Sequence, residues 1–125
     1  MTMADARITV EELVYDDQLR CGHNGAPVTG PVWEFGPDGQ VISEITYCAG
    51  VQDGPTRLFR PTGELEFEEW YRAGVLQRRR VLHPNGQVRQ EVVLERLAVV
   101  TDRRWTEAGV EIDAVTGRPL PPTPR

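Results

Sequence analysis

The heptapeptide Phe35-Gly36-Pro37-Asp38-Gly39-Gln40-Val41 sets a polar, turn-forming link between two apolar residues. The same form returns as Phe59-Arg60-Pro61-Thr62-Gly63-Glu64-Leu65 and as Leu82-His83-Pro84-Asn85-Gly86-Gln87-Val88. A reduced fourth copy keeps Trp105 and Gly109. The glycines Gly39, Gly63, Gly86 and Gly109 are 24, 23 and 23 residues apart. Measured from each glycine, three units share further columns: Glu44, Glu68 and Glu91; Tyr47, Tyr71 and Leu94; Gly50, Gly74 and Leu97. Self-similarity at a period of 20–50 residues marks a repeat architecture in which each unit is one supersecondary element.

The physics of one unit is a β-hairpin. Proline presets φ near −65°, and glycine takes the left-handed position without steric cost. The composition suits a type I turn followed by a glycine bulge. A simple two-residue alternation outward from the turn places Phe35 opposite Val41, Trp33 opposite Ser43, Phe59 opposite Leu65 and Leu82 opposite Val88. It also expects one mainly apolar face, continued by Ile45, Tyr47, Tyr71 and Leu94. The charged face would hold Glu34, Glu44, Arg60, Glu66, Glu68, Arg72, His83, Arg89, Glu91 and Glu95. That pattern is the signature of a half-solvated antiparallel sheet. Glycine and proline recur too often for helices of ordinary length. Ile8-Thr9-Val10 reads as an edge strand. The predicted fold class is therefore all-β: an elongated single-layer antiparallel sheet of repeated hairpins. Its expected divisions are an N-terminal extension or edge strand at 1–17, the hairpin repeats at 18–113 and a flexible proline-rich tail at 114–125.

At this level the units resemble the variant MORN repeats of the YwqK antitoxin type. The shared pattern is the aromatic Phe35, the Gly36–Val41 turn, then Glu44, Tyr47 and Gly50, and again Phe59 through Tyr71 and Gly74. Ala26-Pro27-Val28-Thr29-Gly30 resembles the opening segment of such proteins, and the likeness covers about residues 18–113. Gln77 and Leu97 depart from it at turn positions. The resemblance implies an elongated twisted sheet of stacked hairpins. It also implies a partner-binding role, as in bacterial antitoxin or immunity proteins.

Of the 125 residues 14 are arginine or lysine and 19 are acidic, for a net charge of −5. All the basic residues are arginine. Residues 1–53 hold nine acids and two arginines, whereas 78–104 hold seven arginines and three acids. A nucleic-acid binder carries a stronger basic excess, so nucleic acid is not the expected partner. No stretch approaches the ~20 apolar residues of a membrane-spanning helix. Met1–Glu12 lacks the pattern of a secretory signal. A cytoplasmic location without membrane association is expected. Cys21 and Cys48 fit no metal or redox spacing, and no cofactor or metal motif is found.

The candidate binding residues are Trp33, Phe35, Tyr47, Arg57, Phe59, Phe67, Tyr71, Arg80 and Arg103. Trp33, Arg57, Arg80 and Arg103 each stand six residues before a turn glycine. Recurrent arginine beside aromatic side chains can hold a carboxylate or phosphate bidentately, or pair with Glu69 and stack on Phe67 and Tyr71. Alternation places Arg79 opposite Glu91, and Thr56 and Val32 opposite Glu68 and Glu44. No catalytic residue is assigned: His83 reads as a turn residue, and the Glu44, Glu68 and Glu91 column as part of the repeat. An apolar sheet face needs a cover. The expected function is stoichiometric protein binding, with a cognate toxin as the partner implied by the resemblance. A homodimer joined by apolar faces is one alternative. Another is a small-molecule binder or enzyme using the aromatic and arginine face as its pocket.

Overall fold

The computed structural model describes residues 7–121. Its elements are β1 (Ile8–Thr9), a single 3-10 turn at Val10–Glu12, β2 (Val14–Tyr15), β3 (Cys21–His23) and β4 (Ala26–Pro27). Then come β5 (Gly30–Phe35), β6 (Val41–Cys48), β7 (Val51–Phe59), β8 (Leu65–Arg72), β9 (Val75–Leu82), β10 (Val88–Glu95), β11 (Ala98–Trp105) and β12 (Glu111–Ile112). The protein is all-β. Strands β5 to β12 pair antiparallel in chain order, and β1 joins the edge of β5 in parallel. A small second sheet holds β2, β3 and β4. No helix among the described residues is long and apolar enough to cross a membrane.

Two kinds of turn alternate along the sheet. The first is the glycine turn. Gly36 N–H donates to Gln40 O at 2.7 Å and Gly39 N–H to Gly36 O at 2.9 Å. The same two bonds recur at Arg60–Glu64, His83–Gln87 and Thr106–Val110. Gly39, Gly63, Gly86 and Gly109 all have φ between 79° and 96°, the left-handed region that a side chain disfavours. The fourth turn keeps this geometry although it has lost the proline. The second kind is a two-residue link with both residues at positive φ: Ala49-Gly50, Ala73-Gly74 and Arg96-Leu97. Positive φ at both positions is the requirement of a type I′ hairpin turn, whose twist matches that of the strands.

A bulge beside each of the first three glycine turns corrects the expected register. Phe35 faces Val41, as alternation predicts, but Glu34 then faces Ser43 and Trp33 faces Glu44. Phe59 and Leu65 are likewise followed by Leu58 opposite Phe67 and Arg57 opposite Glu68. Leu82 and Val88 are followed by Val81 opposite Gln90 and Arg80 opposite Glu91. Ile42, Glu66 and Arg89 are the extra residues. One extra residue in a strand moves everything beyond it to the opposite face. The pairings Trp33–Ser43 and Arg79–Glu91 are therefore wrong. Thr56 and Val32 do not face Glu68 and Glu44 either.

The two faces are consequently more mixed than the alternation suggested. One face carries the row Trp33, Glu44, Arg57, Glu68, Arg80, Glu91 and Arg103, one residue per strand from β5 to β11. The other carries Val32, Ile45, Thr56, Glu69, Arg79, Val92 and Asp102. Beside it runs Glu34, Ser43, Leu58, Phe67, Val81, Gln90, Arg104 and Ile112.

The small core lies at the N-terminal end of the second face. Val32, Cys21, Val28 and Tyr47 are buried, with Ile8, Val10, Leu13 and Ile45 packed against them. The small sheet docks by backbone bonds: Cys21 N–H donates to Gly50 O at 2.7 Å, and Gly50 N–H donates to Val28 O at 2.8 Å. A Cβ on Gly50 would lie 2.8 Å from Cys21 O, so this turn needs glycine for space as well as for its φ of 84°. At the far end Asp113 turns the chain, and Pro119 bridges Ile112 in antiparallel fashion. Leu120 N–H donates to Glu111 O at 2.9 Å. The segment expected as a flexible proline-rich tail thus adds a short return to the sheet at Pro119 and Leu120. Met1–Ala6 and Pro122–Arg125, parts of the expected N-terminal and C-terminal divisions, lie outside the described residues.

Candidate functional site

The bulges align the glutamate and arginine columns into one charge ladder. Glu44, Arg57, Glu68, Arg80, Glu91 and Arg103 follow one another across six strands. The guanidinium of Arg57 bridges two carboxylates: its Nε donates to Glu68 at 2.5 Å and its Nη1 to Glu44 at 3.2 Å. Glu91 accepts from Arg78 Nη2 at 3.0 Å and lies 3.5 Å from Arg80 Nε. Arg103 forks onto both oxygens of Glu111 at 2.9–3.2 Å. Opposite charges directly across a sheet stabilise its register. The alternation separates the backbones of successive glutamates by two strand spacings, roughly 9–10 Å, and sets an arginine between them.

Aromatic rings flank the ladder. Trp33 and Phe35 stack with centroids 6.5 Å apart. Trp70, absent from the predicted site, carries Arg78 at 4.9 Å and Arg80 at 5.5 Å over its ring. Arg103 covers Trp105 at 5.0 Å. Arg57, Arg78, Arg80 and Arg103 are thus occupied by carboxylates and rings. Of the predicted site residues, Trp33, Phe35, Arg57, Phe59, Arg80 and Arg103 share the ladder face. Tyr47, Phe67 and Tyr71 stand on the other. The structure does not assemble the nine into one pocket.

On that second face Arg79 stacks over Phe67 at 4.9 Å and lies 3.8 Å from Glu69. Tyr71 Oη donates to Glu69 at 3.2 Å. Burial, and then the neighbouring carboxylate, push its phenol above the usual tyrosine range. Burial pushes the Tyr47 phenol up further, with Tyr15 and Cys21 adding to the shift. Burial also raises the Cys21 thiol against the opposing hydrogen bonds of Tyr15 and Tyr47. A buried thiol held protonated is a packing group, because the thiolate is the nucleophile.

Two features escaped the sequence reading. The first is a cleft of about 530 Å³ between β9, β10, β11 and β12, lined by Arg79, Val81, His83, Arg89, Gln90, Arg104, Trp105, Thr106 and Ile112. The arginine excess of residues 78–104 was its only sequence signal. The second is the outer edge of β11. β12 pairs with β11 at Arg104 and Trp105 alone. Among the described residues nothing pairs with that edge from Ala98 to Arg103. Leu97, Val99 and Val100 there are 68%, 60% and 52% exposed.

Compared with family models, curated proteins and solved structures, the chain matches none.

Proposed function

We propose that the chain is a protein-binding repeat module that acts by stoichiometric binding, in the manner of an antitoxin or immunity protein. The observation that carries this reading is the open apolar edge of β11. A strand edge presents a row of unpaired N–H and C=O groups, and proteins ordinarily blunt such edges with charge, proline, a bulge or a cover. Leu97-Ala98-Val99-Val100-Thr101 has no charge and no proline, and its one irregularity is a bulge at Val100. Strand addition suits it: main-chain bonds supply affinity, and side-chain contacts supply specificity. The proposed occupant is an extended segment of a partner protein with apolar side chains to meet Val99 and Val100. The acidic first half of the chain favours a partner with a basic surface, since complementary charge speeds association. Binding in the cytoplasm accords with two free cysteines. The MORN-type resemblance points the same way.

The test compares the wild type with a Val99→Lys/Val100→Lys variant in capture from native lysate, followed by mass spectrometry and reconstitution with the purified partner. Both positions are exposed, so the variant should keep the wild-type melting temperature. A one-to-one partner held by the wild type and released by the variant supports the reading. Equal retention by both removes the edge from the interface. Concentration-dependent dimerisation that the variant abolishes would replace the partner with a second copy of the chain.

A further inference from the structure

We propose that the cleft between β9 and β12 binds a small organic phosphate, through Arg79, Arg89 and Arg104 on its charge and Val81 and Ile112 on its apolar body. The site is separate from the β11 edge, and its ligand is independent of any protein partner.

The argument begins with register. Val81 faces Gln90, Gln90 faces Arg104, and Arg104 faces Ile112, so these four residues line up across four strands on one face. Arg79 stands two residues from Val81 on β9. Arg89 is the bulge residue beside Gln90 on β10. Adjacent strands lie about 4.8 Å apart, so Arg79 and Arg104 flank β10 from roughly 10 Å apart in the pairing direction. Two extended guanidiniums can meet one ligand across that span. The bulge supplies a third from the strand between them.

Charge comes next. Three arginines and a histidine line the cleft, and no acidic residue does. The carboxylates nearest in register are Glu69 and Asp102, in the row beside it. Each is already committed. Glu69 accepts from Tyr71 and lies 3.8 Å from Arg79. Asp102 accepts from Arg104 Nε at 3.3 Å and Nη2 at 3.1 Å, and from Gln90 at 3.1 Å. Arg104 thus keeps donors to spare, since a guanidinium has five. Arg89 has no ion pair or hydrogen bond within the described structure. The ladder on the opposite face neutralises its arginines one by one, whereas this cleft leaves one bare and two partly engaged.

His83 closes one end. Its Nε2 lies 2.7 Å from Trp105 O. A carbonyl only accepts, so Nε2 carries the proton and donates, which fixes the ring between the third and fourth units. The cleft is thus braced by a hydrogen bond across two hairpins instead of depending on a mobile loop. Several guanidiniums around one oxyanion favour a phosphate dianion over a carboxylate, because the phosphate brings nearly twice the charge and a third acceptor oxygen for the additional fork. Val81 and Ile112 give the rest of the ligand an apolar wall.

The experiment titrates the 15N-labelled protein with phenyl phosphate, benzoate and phenol and follows backbone amide shifts. Phenyl phosphate should saturate, with shifts centred on Val81, Arg89, Gln90 and Arg104. It should bind more tightly than benzoate, and phenol should not saturate. Arg89→Ala should weaken phenyl phosphate about tenfold or more at an unchanged melting temperature, because Arg89 supports nothing in the fold. Arg89→Lys should recover only part of that loss, since it keeps charge but not the fork. Absence of saturation by phenyl phosphate, equal binding of phenol, or full affinity in Arg89→Ala would each overturn the proposal. Tighter binding of benzoate would overturn the phosphate assignment.

Discussion

Replacing Arg96-Leu97 with Asn-Gly should stabilise the protein. The link between β10 and β11 holds Arg96 at φ 51° and Leu97 at φ 67°. The equivalent links place glycine second, at φ 84° in Gly50 and 82° in Gly74. A left-handed conformation costs an ordinary L-residue about 1–2 kcal/mol. Asparagine tolerates the region and glycine bears no such penalty. Against this, glycine adds chain entropy to the unfolded state, about 0.5–1 kcal/mol. Leu97 is 68% exposed, so its removal gives up little packing. The balance is a gain of about 1 kcal/mol, or a rise of about 3–5 °C in melting temperature for a chain of this size. Thermal and urea denaturation followed by circular dichroism would read it, with an unchanged urea m-value. An unchanged or lower melting temperature would refute the turn assignment. The same variant should bind the partner more weakly, because it removes an exposed leucine beside the open edge. A stabler protein with poorer binding would mean that this turn keeps its strain for contact.

Further predictions concern the ladder and the buried N-terminal cluster. Glu68→Ala should destabilise by about 2–3 kcal/mol, since it removes a nearly buried carboxylate on which Arg57 closes. A double-mutant cycle with Arg57→Ala should give a coupling of about 1 kcal/mol or more, and coupling within about 0.3 kcal/mol of zero would show that the ladder is decorative. Stability should fall on the alkaline side. The raised Cys21 and Tyr47 groups favour the protonated forms in the fold, so their contribution is complete below the unfolded values near 9 and 10 and declines as pH rises past them. Urea midpoints measured between pH 8 and 11 should show this decline, and Tyr47→Phe should flatten it. In native protein, iodoacetamide should label exposed Cys48 well before Cys21; equal rates would contradict the packed cluster.

The hairpin repeat was legible because turn chemistry is local. Gly39, Gly63, Gly86 and Gly109 announce their own φ, and Phe35–Val41, Phe59–Leu65 and Leu82–Val88 are the closest apolar pairs outside each turn. The face assignment failed one residue further out. Ile42, Glu66 and Arg89 are ordinary strand residues, and nothing in their identity declares that they are unpaired. Once they are counted, Glu44 and Arg57 belong to one row. The cleft depended on the same missing step, because Arg79, Arg89 and Arg104 converge only in the corrected register. The N-terminal cover escaped for another reason. Cys21 and Val28 reach Gly50 by tertiary docking, which no periodicity records.

The ladder also carries a rule for growth. From β7 onward each unit contributes one arginine on its first strand and one glutamate on its second: Arg57 and Glu68, then Arg80 and Glu91, with Arg103 and Glu111 closing the series. A unit inserted or deleted whole therefore leaves every guanidinium between carboxylates and adds no net charge to the row. Such a chain can lengthen or shorten by duplication without renegotiating its electrostatics. Both places that a newcomer would cover, the β11 edge and the cleft before it, sit at the terminus where that growth would happen.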